Sequence, residues 1–156
     1  MTGRAHDGRR DGPRPIHLRW RYLGLVAAGG AVGTALREAL SLLVPPVGGI
    51  DIAVLGINIV GAFALGVLLE HLARRGTDEG GRRTARLLLG TGVLGGFTTY
   101  SALAADTSLL FAADRAWLAL AYSLGSVVLG GLAAWAGIAV SAAAGRARRS
   151  PTGDTE

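Results

Sequence analysis

The sequence has no cysteine, one methionine and three histidines, and aromatic residues make up only 6% of its 156 residues. The absence of cysteine excludes disulfide bonds, thiolate metal sites and cysteine nucleophiles. Three histidines leave little for histidine-based metal chemistry. No nucleophile–base constellation or metal cluster stands out along the chain. The sequence therefore predicts a protein that is not an enzyme.

Lysine is also absent, so the 16 basic residues are all arginines, and with 11 acidic residues they leave a net charge of +5. Fourteen of the arginines lie in three clusters, at residues 4–21, 74–86 and 146–149. A soluble nucleic-acid-binding domain would spread this charge over its surface. Here the clusters separate long apolar stretches, in a chain that is 50% hydrophobic and 17% charged. The charge pattern therefore argues against nucleic acid as a partner.

Four long apolar segments dominate the chain, and each exceeds the roughly 20 residues that a helix needs to cross a hydrocarbon core about 30 Å thick. A soluble helical bundle would carry polar outer stripes, whereas these segments are apolar nearly all round. We therefore predict an all-α integral membrane protein with four transmembrane helices. The segments lie at residues 22–44, 50–72, 85–111 and 116–144.

With four crossings, the three arginine clusters fall on one side of the membrane, and the positive-inside rule makes that side cytoplasmic. Both termini are then in the cytoplasm, and the protein is a multi-pass protein of the cell inner (plasma) membrane. Residues 1–21 are predicted to be a disordered, arginine-rich cytoplasmic leader before the membrane domain of residues 22–144. Residues 145–156 are predicted to be a cytoplasmic tail.

The third segment contains Gly95-Gly96-Phe97-Thr98-Thr99-Tyr100-Ser101 at its centre. Two glycines followed by two β-branched threonines have low helix propensity. Unwound backbone at this depth is tolerated only inside protein, beside a cavity or around an ion, as in channels and transporters. The alternative is a continuous helix with a small-residue packing face. The local sequence leaves both open.

Most polar side chains inside the segments are neutral hydrogen-bond donors. Such groups can replace the hydration shell of an anion without trapping it, and the lack of carboxylate rows disfavours proton-coupled pumping. For each serine or threonine the alternative is a hydrogen bond to the carbonyl four residues earlier. The neutral set is Asn58 in the second segment, Thr98, Thr99, Tyr100 and Ser101 in the third, and Tyr122 and Ser126 in the fourth.

Taken together, these residues resemble the CrcB/Fluc family of small fluoride channels. The resemblance covers residues 22–144 in the family's order, and its third-segment string is quite specific. The matching pieces are Gly-Gly-Ala-Val-Gly-Thr-Ala-Leu-Arg at residues 29–37, Asn-Ile-Val-Gly-Ala-Phe at residues 58–63, the string at residues 95–101, and Tyr122 with Ser126.

The resemblance implies a passive, fluoride-specific ion channel that exports cytoplasmic fluoride and so reduces its toxicity. It also implies a third helix broken near its centre and a dimer of two antiparallel subunits with two pores. A structural sodium ion is expected at the dimer interface, held by main-chain carbonyls of the two breaks. By motif position, Gly95 and Thr98 supply those carbonyls.

The resemblance further implies which positions line the pore. The family's pair of phenylalanines is matched by Tyr100, which keeps a ring, and by Leu103, which has none and leaves one ring contribution in doubt. Arg37 is either a vestibule charge that attracts fluoride or a structural anchor near a helix end. The full set of expected pore and fluoride-binding positions is Asn58, Tyr100, Ser101, Leu103, Tyr122 and Ser126.

The arginine bias and the antiparallel dimer together predict a partner. A chain that inserts in one orientation cannot supply the opposite-facing subunit, so we expect a heterodimer with an oppositely oriented paralogue; a homodimer remains the alternative.

Two other functions stay open. One is a small multidrug-type, proton-coupled exporter, for which Glu38 is the candidate carboxylate. The other is a non-conducting structural subunit, which the loss of the ring at Leu103 favours. Asp106 is expected to face water.

Overall fold

The computed structural model describes residues 20–147, and within them the chain is helical apart from short connections. Residues 1–19 and 148–156 lie outside the described residues, and with them nearly all of the predicted leader and most of the predicted tail. The helices are α1 (Trp20–Leu43), α2 (Ile52–Ala73), α3 (residues 80–97), α4 (Tyr100–Ala112) and α5 (Ala116–Ala147).

Four spans are long and apolar enough to cross a membrane, with α3 and α4 together forming the third. Large apolar side chains on all of them point outward; Leu132 and Trp135 on α5, for example, are 57% and 69% exposed. An apolar outer surface suits lipid, because hydrocarbon around a helix removes the need for a polar stripe. The prediction of an all-α membrane protein with four spans is confirmed.

Short turns join the spans. Between α1 and α2, Gly48 and Gly49 have φ values of 62° and 85°, where a side chain would be strained. Asp51 then caps α2, because its carboxylate accepts a hydrogen bond of 3.1 Å from the Val54 N–H. The central connection is shorter than the charge pattern suggested, because the next helix begins at Gly80.

The third span is interrupted, as predicted. Its first half, α3, consists of an α-helical start (Gly80–Ala85), a π-helix (Arg86–Leu94) and a last turn (Gly95–Phe97). Thr98 and Thr99 then adopt extended conformations, with ψ values of 154° and 120°, before α4 begins.

The break is shorter than the weak stretch that begins at the two glycines. Gly95 is helical, with φ −65° and ψ −35°, and the interruption begins three residues later. Gly96 packs directly on the backbone of Gly30 in α1, where a β carbon would overlap main-chain atoms. Gly96 therefore serves close helix packing, and the break lies at the two threonines.

The helices pack in two close pairs, α1 against α3 and α2 against α5. Each pair meets through glycine: a β carbon at Gly33 would overlap the Val93 carbonyl, and one at Gly137 would overlap the Phe63 carbonyl. Small residues permit this approach of helix backbones in lipid. The second half of the third span, α4, lies against α5, and a small buried cluster including Leu103 and Tyr122 joins these two helices.

Candidate functional site

The break is held in place by a side chain from another helix. Asn58 of α2 donates from Nδ2 to the Thr99 carbonyl at 3.0 Å, and its Oδ1 accepts from the Thr99 N–H at 2.8 Å. An amide side chain paired in this way satisfies both main-chain groups of a residue that has left the helix. Of the two Nδ2 hydrogens, one is engaged here, which leaves the second for another acceptor.

The two threonines of the break also use their hydroxyls on the backbone. Thr98 Oγ1 donates to the Leu94 carbonyl at 2.9 Å, and Thr99 Oγ1 accepts from the Ala102 N–H at 3.2 Å, which caps α4. Ser101, an expected pore residue, lies 3.1 Å from Thr99 Oγ1 through its own hydroxyl. The Thr99 hydroxyl thus gives the Ala102 N–H a partner at the start of α4, and the Thr98 hydroxyl adds a second donor to the Leu94 carbonyl, which also accepts from the Thr98 N–H at 3.0 Å.

The interruption changes the hydrogen bonding of the expected cation-binding carbonyls. In an uninterrupted helix the Thr99 N–H would donate to the Gly95 carbonyl, four residues earlier. Because that N–H donates to Asn58 instead, the Gly95 carbonyl loses its regular helical partner. Gly95 is exposed and Thr98 is half-buried in the single chain. Elsewhere in the part of the chain that the structure describes, no three acidic, histidine or cysteine side chains come together as metal ligands.

A groove of about 310 Å³ opens beside the break, between α2, α4 and α5. The structure brings six of the residues singled out from the sequence to this groove. Its polar lining is uncharged, and its remaining walls are formed by small or apolar residues such as Ala62, Val127 and Gly130. The six residues are Asn58, Thr98, Thr99, Tyr100, Leu103 and Ser126.

Tyr100 and Leu103 share the groove but have different surroundings. The Tyr100 ring is 79% exposed in the single chain, whereas Leu103 is 6% exposed and belongs to the buried cluster. Both also line a second cavity of about 270 Å³, further along α4 and α5, to which Thr107 and Ser123 contribute hydroxyls. The Tyr100–Leu103 pair therefore stands between two hydroxyl-lined spaces.

The two expected residues of α5 are placed differently from each other. Ser126 is buried at the groove, and its hydroxyl donates to the Tyr122 carbonyl at 2.6 Å, which is the backbone bond considered as the alternative role. Tyr122 lies one turn away, outside the groove lining. Its hydroxyl is 3.2 Å from Asp106 Oδ2 and 3.4 Å from the Asp51 carbonyl.

Asp106 was not recognised as a neighbour of the site. It was expected to face water, but it is half-buried and accepts a hydrogen bond from the Tyr122 hydroxyl. The expectation failed because Asp106 lies nearly two helical turns after the break, on the same α4 face as Leu103, and this face packs against α5. The spacing of Leu103 and Asp106, three residues apart, is the signal that could have indicated it.

Arg37 lies away from the groove beside the break. Its side chain is 22% exposed, its Nη1 is 3.8 Å from Glu38 Oε2, and its Nε is buried without a hydrogen-bond partner among residues 20–147. The Glu38 side chain is 62% exposed. Within the single chain, the Glu38 carboxylate is therefore not enclosed among the helices.

Comparison with known proteins adds independent information. A family model described as "CrcB-like protein, Camphor Resistance (CrcB)" matches residues 24–138. The chain is 51% identical over 131 residues to the fluoride-specific ion channel FluC 2 of Leifsonia xyli subsp. xyli, covering 84% of this chain and 90% of that protein.

Two further relatives extend this match. The fluoride-specific ion channel FluC 1 of Cutibacterium acnes is 45% identical over 118 residues, or 75% of this chain and 82% of that protein. The fluoride-specific ion channel FluC of Paracoccus denitrificans is 45% identical over 116 residues, or 74% of this chain and 90% of that protein. The match to the family model includes the second and third spans and the fourth span as far as residue 138.

Proposed function

This chain belongs to the CrcB-like protein family, and from that premise we propose that it is a subunit of a fluoride-specific ion channel. It exports cytoplasmic fluoride passively and thereby reduces fluoride toxicity. The observation that carries the proposal is the Thr98–Thr99 break, clamped by Asn58 beside a groove with uncharged polar lining. As a channel it transports its substrate without a catalytic step. The family also argues against the multidrug-type exporter based on Glu38.

The groove offers fluoride a series of partial positive charges. The second Nδ2 hydrogen of Asn58 is the one amide donor available to it, and the edge of the Tyr100 ring is a further positive surface. Ser126 takes part by rotating its hydroxyl away from the Tyr122 carbonyl, a motion that exchanges one hydrogen bond for another. Leu103 supplies apolar lining. None of these groups carries a full charge that would hold the anion in place.

The freed main chain at the break suits a monovalent cation. Gly95 and Thr98 would hold a sodium ion through their carbonyl oxygens, together with the same pair from a second subunit. The support for this is the Thr99 N–H, which donates to Asn58 and so leaves the Gly95 carbonyl without its helical partner. When bound, the ion would supply positive charge that joins the two breaks.

We also propose that the channel is an antiparallel dimer and that the second subunit is an oppositely oriented paralogue. Arginines at residues 74–86 and 146–149 bias the chain to one orientation in the plasma membrane. In that orientation both termini lie in the cytoplasm. In the described connections at the opposite end, residues 44–51 and 113–115, Arg115 is the one arginine, and it donates to the Gly48 carbonyl between α1 and α2. The homodimer is the competing arrangement.

Orientation can be measured directly because the chain has no native cysteine. Single cysteines at Val47 and Thr77, both exposed and on opposite connections, are labelled with a membrane-impermeant maleimide in intact spheroplasts. We expect V47C to react at once and T77C to react only after permeabilisation. Equal labelling of the two would show insertion in both orientations and would support the homodimer.

Transport is tested with purified protein in liposomes loaded with potassium fluoride, using valinomycin and a fluoride electrode. We expect efflux when this chain is reconstituted with a relative whose arginine bias is reversed, and no comparable chloride efflux. Robust fluoride efflux from this chain alone would overturn the heterodimer but leave the channel intact. Absence of fluoride efflux in every combination would overturn the channel.

A non-conducting structural subunit is the second candidate, and two observations favour it: Leu103 has no ring, and the Ser126 hydroxyl is already bonded to its own helix. In an assembled and conducting dimer, Tyr100→Ala in this chain distinguishes the two roles. The exposed Tyr100 ring contributes little to the fold of the single chain. Unchanged efflux after this substitution would support the structural role, and a large loss would support conduction through this chain's own pathway.

A further inference from the structure

A third cavity lies far from the break, at the arginine-rich end of the molecule. It is a groove of about 360 Å³ between the last turns of α2 and α5. Just before it, the two helices cross so closely that a β carbon at Gly66 would overlap the Ala134 carbonyl. None of the residues beside the break contributes to this groove, so it is separate from the proposed fluoride pathway.

One end of the groove is basic. His71, Arg74 and Arg75 line it from α2 and the connection that follows. Arg74 is paired through Nε with the Glu70 carboxylate four residues earlier. Arg75 has no carboxylate within 4.0 Å among residues 20–147, and its side chain is exposed. Among the described residues, this end therefore offers a guanidinium that no carboxylate pairs with.

The Arg74 side chain extends across the groove from α2 to α5. A β carbon at Gly145 would lie 3.4 Å from Arg74 Cδ and 3.7 Å from its Nη1, so the arginine stem rests on the glycine of α5. Arg146 follows directly in α5, and Arg148 and Arg149 follow in the sequence. The positive field at this end is therefore produced by both helices.

The other end of the groove is apolar and extends towards the bilayer core. Val67 of α2 and Val140 and Ala144 of α5 form its walls, and Val140 is 55% exposed. A free anion would use the guanidinium groups but leave these walls uncovered. A phospholipid satisfies both ends, because its phosphate lies at the interface while its acyl chain runs along the apolar surface.

We propose that this groove is a binding site for an anionic phospholipid, with the headgroup phosphate on Arg75 and Arg74 and one acyl chain along Val67 and Val140. Basic pockets between transmembrane helices at the cytoplasmic side are a known way to bind anionic headgroups. The proposal does not depend on which ion the protein conducts. It also holds for either leaflet, since it requires only that this end of the helices lies at a headgroup region.

The experiment uses native mass spectrometry of the full-length protein, assembled and solubilised in mild detergent, with dioleoyl phosphatidylglycerol or dioleoyl phosphatidylcholine added. We expect one phosphatidylglycerol per chain to bind more tightly than phosphatidylcholine. Arg75→Gln should weaken that adduct about fivefold, because one arginine near an anionic lipid is worth about 1 kcal/mol. Arg82→Gln is the matched control, since Arg82 is bonded to the Thr77 carbonyl outside this groove.

A second variant tests the apolar end without changing charge. Val140→Trp fills the groove from an exposed position and should reduce binding of phosphatidylglycerol while leaving the assembly intact. An equal loss in Arg82→Gln and Arg75→Gln would show that binding follows total charge, and the site would be rejected. Competition by inorganic phosphate combined with no effect of Val140→Trp would show a simple anion site and would also overturn the lipid assignment.

Discussion

Removing the Asn58 amide tests whether the clamp on the break is needed for conduction. Asn58→Ala deletes the bonds of 3.0 and 2.8 Å to the Thr99 main chain and leaves its N–H and carbonyl without partners. Hydrogen bonds of this kind contribute about 0.6 kcal/mol each in membrane proteins and about 1 kcal/mol in soluble ones. The orphaned groups lie beside an open groove that water can reach, so we expect a total loss of about 1–3 kcal/mol.

A loss of about 2 kcal/mol corresponds to a factor of roughly 30 in the population of the clamped break. Fluoride efflux from liposomes should therefore fall by at least tenfold in Asn58→Ala, and the protein should unfold at a lower concentration of sodium dodecyl sulfate. Val60→Ala is the control: it lies on the same helix with 59% of its surface exposed, and it should leave both readouts unchanged.

Asn58→Asp separates positioning from charge. It keeps an acceptor for the Thr99 N–H but presents a carboxylate to the Thr99 carbonyl and to the groove, so efflux should fall below that of Asn58→Ala. The reasoning would be refuted if Asn58→Ala conducted and resisted detergent like the unchanged protein. The clamp would then be dispensable, and the break would be held by its threonines alone.

Three further substitutions have defined outcomes. Gly61→Ala places a methyl group against Thr98 and should destabilise the fold by about 1–3 kcal/mol in detergent titration, whereas Gly56→Ala, in open space, should be neutral. A neutral Gly61→Ala would contradict the packing beneath the break. Tyr100→Phe removes the hydroxyl but keeps the aromatic ring, so the rate of fluoride efflux should stay within about threefold of that of the unchanged protein. Asp51→Ala removes a helix cap and should cost about 1 kcal/mol, measured by the same titration; no change would show that α2 needs no cap.

Several features could be predicted because they depend on neighbouring residues alone. Apolar length predicts a span, and an arginine cluster predicts a membrane side, without knowledge of any other helix. The weakness of the third span is likewise local, since glycines and β-branched threonines reduce helix propensity wherever they occur. The exact site of the break was not predictable in this way, because Gly95 and Gly96 are both helical and Gly96 packs on Gly30 of α1.

In the candidate site, too, residue types could be predicted from the sequence, whereas their contacts depend on the packing of the helices. The polar residues were identified as types that suit an anion, and five of these polar residues meet at one groove. The hydrogen-bond partner of each residue could not be predicted from the spacing of residues in the sequence. Asn58 and Thr99 are 41 positions apart, and Tyr122 and Asp106 are 16 apart, so their hydrogen bonds exist only once the helices are packed.

The sequence by itself determined four membrane spans, a bias of basic charge to one side and an intrinsically weak third helix, because hydropathy, charge and propensity belong to short stretches of chain. Only the tertiary structure decided that the helix opens at Thr98 and Thr99, since the energy of an open turn depends on whether another helix supplies partners for its main chain. Asn58 supplies them here. The same packing sets Asp106 beside Tyr122 and leaves a basic groove between the ends of α2 and α5.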